Sequence, residues 1–241
     1  MPEPAKSSRS CAIKSGSLHE TKSLQIDDFE IRDLQYDYGV PIYSTFWKGL
    51  EDIRFISSSN ILVTIPECNK NGQPSIFKAT LEDNRVHSFI GCLPNNIEKN
   101  WMPYFDETGK PMVIYSLNPF VTKEIESETK DVHENEYPLI YGYHGSTNGI
   151  PYKESHLRLF LIHLNQEISI HRWLQYNLKT STIKVSEPFV FFKHSYIEFP
   201  VSLAKFNDRI FVSIGVNDDR AFILELDGSD IENSLNSFGK N

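Results

Sequence analysis

Cysteine is scarce. Cys11, Cys68 and Cys92 are the three in 241 residues, an odd set without metal-ligand spacing. This excludes a disulfide scaffold or a Cys-ligated zinc site, and it reads as reduced thiols of a cytoplasmic protein, a Cys68–Cys92 bridge being the alternative. No Asn-x-Ser/Thr acceptor occurs, in keeping with a protein that is not secreted. Residues 1–20 lack the apolar stretch of a signal peptide, and no run approaches the length of a membrane span. Basic residues are outnumbered, 24 Lys and Arg against 32 Asp and Glu, for a net charge of −8. That balance excludes a nucleic-acid scaffold, whose affinity comes from cations on phosphates, and it has the wrong sign for an anionic membrane. It suits a neutral ligand. No long amphipathic helix can be traced, and no His-Glu-x-x-His motif or comparable metal set is present: His156, His163 and His171 have no ligand spacing.

What the chain does have is aromatic residues, with 16 Phe, 11 Tyr and 3 Trp, and a strand-and-turn grammar. Residues 1–23, rich in Ser, Lys and Pro, read as a disordered tail, and 24–241 as one all-β domain. Residues 26–31 are expected as the outer strand of an incomplete first blade. Further strands are predicted at 61–65, 75–81, 86–93, 112–115, 139–143, 157–164, 168–178, 201–206, 210–214 and 221–226, with Asn71-Gly72, Thr108-Gly109 and Asn207-Asp208 as turns. In 168–178, Ile170, Arg172, Leu174 and Tyr176 alternate with His171, Trp173 and Gln175. Residues 121–136 read as a charged insertion, and 231–238 as a short helix or frayed end.

Four polar blocks punctuate these strands: Gly49-Leu50-Glu51-Asp52-Ile53-Arg54, Glu98-Lys99-Asn100-Trp101-Met102-Pro103, His144-Gly145-Ser146-Thr147-Asn148-Gly149-Ile150-Pro151 and Tyr196-Ile197-Glu198-Phe199-Pro200. Asp52, Asn100, Asn148 and Glu198 follow one another at 48, 48 and 50 residues. A repeat of this size filled with short strands predicts a β-propeller of four to five four-stranded blades. Residues 49–227 hold four repeats; either residues 24–48 and the C-terminal strands complete a fifth blade, or the chain is a shortened version of a longer one.

Together the blocks resemble those of the five-bladed propeller glycosidases, the mannoside phosphorylases and β-mannosidases and their uncharacterised relatives. The first looks like that family's Gly-Leu-Glu-Asp-Pro-Arg, with Ile53 in place of Pro. The second, followed by Val113-Ile114-Tyr115, looks like its second-blade motif, and the third stands where the family has a glycine-rich loop. Ser186-Glu187-Pro188-Phe189, block four and Ser213-Ile214-Gly215-Val216-Asn217-Asp218 look like its final blade. The resemblance covers about residues 45–227. It implies a protein that acts on a mannose-type oligosaccharide without a cofactor, with Asp52 as catalytic acid. The family's phosphorylases hold phosphate with basic residues, including an Arg after the second-blade strand. Tyr115-Ser116-Leu117-Asn118-Pro119 has none there, so hydrolysis is expected rather than phosphorolysis.

Each residue has a structural alternative. Asp52 could pair with Arg54 or cap a turn; Glu51 would point away from it on a regular strand. Lys99, Asn100 and Trp101 offer a cation, an amide and a flat ring to a sugar, unless Trp101 is blade core. His144, Ser146, Thr147 and Asn148 either bind ligand or make a tight turn; no nucleophile elbow surrounds Ser146. Glu198, in an apolar run, is either a pocket acid and candidate base or half of a buried pair with Lys or Arg. Asn217 and Asp218 are expected in a turn, with Arg220 paired to a neighbouring acid. Substrate contacts are therefore expected from Glu51, Arg54, Lys99, Asn100, Trp101, His144, Ser146, Thr147, Asn148, Glu198, Asn217 and Asp218. The rivals to catalysis are a glycan-binding or glycosyltransferase-associated propeller, and a protein-interaction propeller.

Overall fold

The computed structural model describes residues 12–18, 26–93, 96–192 and 195–237. The chain is all-β in a propeller arrangement of four blades. A separate hairpin precedes them: β1 (Ala12–Leu18) pairs antiparallel with β2 (Ile26–Asp33). A strand thus occupies 12–18, where the sequence predicts a tail, and β2 joins no blade; the rest of the predicted tail lies outside the described residues. Blade 1 holds β3 (Gln35–Tyr36), β4 (Glu51–Phe55), β5 (Asn60–Thr64), β6 (Ile76–Glu82) and β7 (Arg85–Gly91), in the order β3-β7-β6-β5-β4. Blade 2 holds β8 (Met102–Phe105), β9 (Pro111–Leu117), β10 (Phe120–Glu124) and β11 (Asp131–Val132). Blade 3 is built on the long hairpin of β14 (Glu154–Asn165) and β15 (Ser169–Asn177), with β12 (His144–Gly145) and β13 (Ile150–Tyr152) on one side and β16 (Thr182–Val185) on the other. Blade 4 has three strands, β17 (Glu198–Phe206), β18 (Arg209–Val216) and β19 (Arg220–Asp227), followed by α1 (Gly228–Ser237).

Two predicted segments differ. Residues 121–136 are not an insertion, because β10 and β11 fall in or beside them. The charged face of β10 is buried with the rest of it, Lys123 being 1% exposed, so no polar alternation marks the strand. Residues 139–143 are not a strand: Pro138 opens a 3-10 turn through Ile140, a position where its missing N–H costs nothing.

Contacts divide the chain into two compact units, one made of residues up to Ile53 with Ser57–Lys99, the other of Arg54–Ile56 with the chain from Asn100. The first unit has its own core, in which Leu50, Ile61, Val63, Phe77, Val86 and Phe89 meet. The second has two. Phe160, Ile162, Leu174 and Tyr176 of blade 3 pack on Met102, Tyr104, Ile114 and Phe120 of blade 2. The alternate residues Leu159, Leu161 and Trp173 pack on Leu203, Ile210, Val212 and Ile214 of blade 4 and on Ile231 and Leu235 of α1. The period-2 pleat of β14 and β15 feeds both cores, and each large apolar side chain buried in them contributes roughly 1.5–3 kcal/mol.

Close packing fixes one glycine. A Cβ on Gly149 would lie 2.4 Å from Phe160 Cζ and 2.9 Å from Tyr104 Cβ, two rings held edge to face with centroids 5.8 Å apart. Gly149→Ala should therefore destabilise the protein by about 1–3 kcal/mol through overpacking. The nearest atom to a Cβ on Gly215 is 4.0 Å away, so Gly215→Ala should change stability by less than about 0.5 kcal/mol. Thermal melts of the two variants test this ordering, and equal midpoints would contradict it.

Candidate functional site

Each polar block lies at an edge strand of its blade: β4, β8, the β12 and β13 pair, and β17. The third block splits that strand in two. β12 pairs with β14 at His144↔His163, β13 pairs with it at Ile150↔Leu159, and residues 146–149 bridge the gap. Side chains take over the ladder there: Thr147 N–H donates to the Leu161 carbonyl at 3.4 Å, and Leu161 N–H donates to Thr147 Oγ1 at 2.9 Å. Asn148 imitates a strand neighbour for blade 4, accepting from Leu203 N–H at 2.9 Å and donating Nδ2–H to its carbonyl at 3.0 Å. Ser146 Oγ–H donates to the Pro200 carbonyl, and the Ser146 carbonyl accepts from Arg54 Nε–H. Gly145 lets this loop press on the second block, since a Cβ there would meet the Asn100 carbonyl oxygen at 2.1 Å. Arg54, Ser146, Thr147 and Asn148 are thus brought together with the backbone of blocks two and four, and they act as fasteners. His144 is exposed, its ring 5.8 Å from that of buried His163, which stands edge-on to Phe199 at 5.0 Å. Arg54 lies 5.8 Å above the same Phe199 ring.

Asp52 and Asn100, one repeat apart, share a backbone state. Their φ angles are +52° and +63°, the left-handed region that is uncommon outside glycine and that Asn and Asp enter more readily than most. Both side chains are half-buried. A left-handed residue breaks the alternation of β4, so the expectation that Glu51 and Asp52 point to opposite faces, as on a regular strand, does not carry over. Glu51 is half-buried as well, and Lys99 is exposed. Trp101 is 1% exposed. Lys123 Nζ lies 4.3 Å above its ring and Tyr115 packs beside it at 5.5 Å, with Lys130 Nζ 3.6 Å over Tyr115. This stack of cations and rings covers the face a sugar would need, so Trp101 is blade core.

Glu198 is the buried pair of the two readings, with a different partner from the Lys or Arg expected. Its Oε2 lies 2.9 Å from His171 Nε2 and accepts from Phe191 N–H at 2.9 Å; Oε1 accepts from Phe192 N–H at 2.8 Å and from the Ser195 hydroxyl. His171 packs against both Phe189 and Phe191, and its Nδ1 has no hydrogen-bond partner among the described residues. The carboxylate therefore ties the 189–198 segment to β15. Asn217 and Asp218, both at positive φ, form the expected turn; Asn217 Oδ1 accepts from Tyr196 and Ile197 N–H at 3.1 Å each. Arg220 pairs with Asp219 at 3.4 Å.

Several partners were hidden from sequence reasoning. His171 and Lys123 lie far along the chain from Glu198 and Trp101, and no local spacing signals either pair. Phe46 and Trp47, exposed just ahead of the first block, had a legible signal in two adjacent aromatics beside Lys48 and Gly49. A groove of about 240 Å³ lies between 136–140 and 183–185; it contains none of the predicted ligand contacts. Among the described residues no group of three His, Cys, Asp or Glu could hold a metal ion, and no helix is long and apolar enough to cross a membrane.

Burial alone would raise the Glu198 carboxyl, but His171, Ser195 and the Phe191 and Phe192 amides outweigh it and hold the group below its ordinary value of 4.5. A lowered folded-state pKa stabilises the protein above the unfolded value, and the contribution is lost as pH falls through the folded one. Glu198→Gln keeps the shape and removes two acceptor sites. It should cost about 1–3 kcal/mol at pH 7, a gap that narrows as pH falls below the ordinary carboxyl value of 4.5 and on through the lowered folded-state value. Denaturant midpoints of both proteins across pH 3–7 measure it; a gap constant with pH would contradict the assignment.

No protein-family model matches the chain, and no curated protein sequence matches it significantly. Its fold is similar to that of solved structures. One is a β-1,2-mannobiose phosphorylase from Listeria innocua in complex with β-1,2-mannobiose, at 15% identity and TM-score 0.57, covering 78% of this chain and 61% of that one. Others are a hypothetical protein from Leishmania major, at 8% identity and TM-score 0.47 over 73% of this chain and 65% of that one, and a puromycin hydrolase at 9% identity and TM-score 0.40 over 74% and 27%. The chain thus spans less than two thirds of each of these structures. The likeness to the phosphorylase is one of fold, a propeller-like arrangement.

Proposed function

We propose that this chain is a carbohydrate-active propeller for mannose-type glycosides, with Asp52 as proton donor and water as acceptor. The observation that carries the reading is Asp52 itself. It occupies the acid's place in a Gly-Leu-Glu-Asp-x-Arg block, on an edge strand of a blade, half-buried and held at φ +52°. Left-handed non-glycine residues persist where the surroundings impose them, and they cluster at functional sites. The fold shared with a mannobiose phosphorylase supports the same substrate class. Glycoside cleavage needs an acid to protonate the departing oxygen, and the half-buried Asp52 is the carboxyl that the resemblance assigns to that role. Residues 115–119, at the end of β9 and just beyond it, are where the resemblance leads one to expect an Arg for phosphate and have none, and Tyr115 packs beside Trp101 and under Lys130.

One observation favours binding without turnover. An inverting glycosidase needs a second carboxylate roughly 6.5–9.5 Å from the first to activate water. Glu198 had been the candidate base, and both of its oxygens are committed to His171, Ser195 and two backbone amides. A glycan-binding propeller with Asp52 as a hydrogen-bonding ligand is the second reading.

Hydrolysis of β-1,2-mannobiose and other mannosides by wild type and Asp52→Asn, with and without phosphate, separates the two. Catalysis predicts a loss of about 100- to 10,000-fold in the variant and no dependence on phosphate. Full activity in Asp52→Asn would remove this residue from the mechanism, and a strict phosphate requirement would overturn the choice of water. Sugar binding without turnover by wild type would establish the second reading.

A further inference from the structure

The hairpin of β6 and β7 carries one residue too many. His87 stands opposite Thr80 and Ile90 opposite Lys78, so Ala79 alone faces both Ser88 and Phe89. Ser88 is the extra residue, held at φ +57°, a backbone state that few residues other than Gly, Asn and Asp adopt. The bulge decides where the side chains point. On a regular strand His87 and Ser88 would face opposite sides. Here Val86 and Phe89, three residues apart, are both in the core, and His87, Ser88 and Ile90 are turned outward. Two side chains thereby line up behind one hydroxyl. Ser88 Oγ is 2.8 Å from His87 Nδ1, and His87 Nε2 is 3.3 Å from Glu82 Oε2. Glu82 comes from β6, two residues beyond Thr80, as the diagonal neighbour of His87 across the hairpin. The roles of the ring nitrogens follow: Nδ1 accepts from Ser88 Oγ–H, and Nε2–H is left to face the carboxylate.

We propose that Ser88 is a nucleophile with His87 as its general base and Glu82 as the carboxylate that orients the ring, an acyl-transfer site for short-chain carboxylic esters. A serine hydroxyl is a weak nucleophile until a base within hydrogen-bond reach takes its proton, and that base works best when a third group fixes its tautomer. All three roles are filled here. Ser88 Oγ bonds to the acyl carbon as its proton passes to His87 Nδ1. The bond from the acyl carbon to the alcohol oxygen then breaks, and the alcohol leaves with that proton. Water attacks the acyl carbon while Nδ1 takes a proton from it, the bond to Oγ breaks, and Oγ recovers the proton as the carboxylic acid departs. The backbone argues the same way. Bulges re-aim side chains beside active sites, and left-handed non-glycine residues cluster where chemistry is done. Ile90, 55% exposed on the same outward side, offers an apolar contact to a short acyl chain. The Glu82 side chain is 70% exposed and that of His87 31%, so water screens the carboxylate and makes it the weakest of the three. These residues lie outside the four polar blocks, and the site is independent of the glycoside reading.

A fluorophosphonate probe, which bonds covalently to activated serines, and p-nitrophenyl acetate test the site. Wild type should take up the probe at Ser88, located by peptide mass spectrometry, and should release p-nitrophenolate with an initial burst as the acyl-serine forms. Ser88→Gly is the sharpest variant. Glycine adopts a positive φ without a steric cost, so this protein should melt close to wild type while losing both the label and the burst. His87→Gln should slow labelling and ester cleavage by about 100-fold or more, and Glu82→Gln by about tenfold or less, since its carboxylate is screened. If wild type takes up no probe and cleaves the ester no faster than Ser88→Gly, the proposal is overturned. A label on another residue, or labelling retained in Ser88→Gly, overturns it as well. Labelling of His87→Gln at the wild-type rate would leave the three side chains as a surface contact without a base, and the proposal would fall.

Discussion

Between Arg158 and His163, β14 has no side chain facing water. Phe160 and Ile162 face blade 2 while Leu159 and Leu161 face blade 4. A strand packed on both faces leaves little outlet to water, so the polar groups near it draw their hydrogen bonds from protein. Arg158 donates Nε–H to the Phe105 carbonyl of blade 2 at 2.7 Å, and Arg172 donates to Tyr143 Oη at 3.1 Å and to the Ser186 carbonyl. Thr147 serves the β14 backbone itself, and Asn148 carries the pairing across to β17. The polar blocks are conspicuous in the sequence in part because a doubly covered blade needs polar fasteners where its first strand is broken.

That need sets the third and fourth blocks apart from the first two. Ser146, Thr147, Asn148 and Glu198 spend their hydrogen-bonding capacity inside the second unit. Their removal would loosen the frame, which is why the pH dependence at Glu198 concerns stability. Asp52 and Asn100 differ: both are half-buried and both occupy a left-handed backbone state. The repeat therefore marks equivalent positions in blades 1 and 2, while the matching positions of blades 3 and 4 are given to an amide clamp and a buried carboxylate.

The 241 residues by themselves determined an all-β chain. Alternating apolar positions and Asn-Gly, Thr-Gly and Asn-Asp turns are local signals, and the strands at 61–65, 157–164, 210–214 and 221–226 follow from them, while 231–238 read equally as a short helix or a frayed end. The spacing of the blocks likewise carried the propeller arrangement. Blade number and membership did not follow, because pairing is a matter of long-range register: β2 pairs with β1 instead of a blade, and β10, with Lys123 inside the protein, shows no alternation to read. The roles of block residues were settled by partners remote in sequence. Only folding brings His171 to Glu198, Leu203 to Asn148 and Lys123 over Trp101, and a side chain's chemistry depends on whether such a partner has already taken its polar atoms or its ring face. Exposure is likewise a tertiary property. Trp47 and Trp101 are the same residue type in similar polar settings, and the fold leaves one 52% exposed and buries the other in a blade.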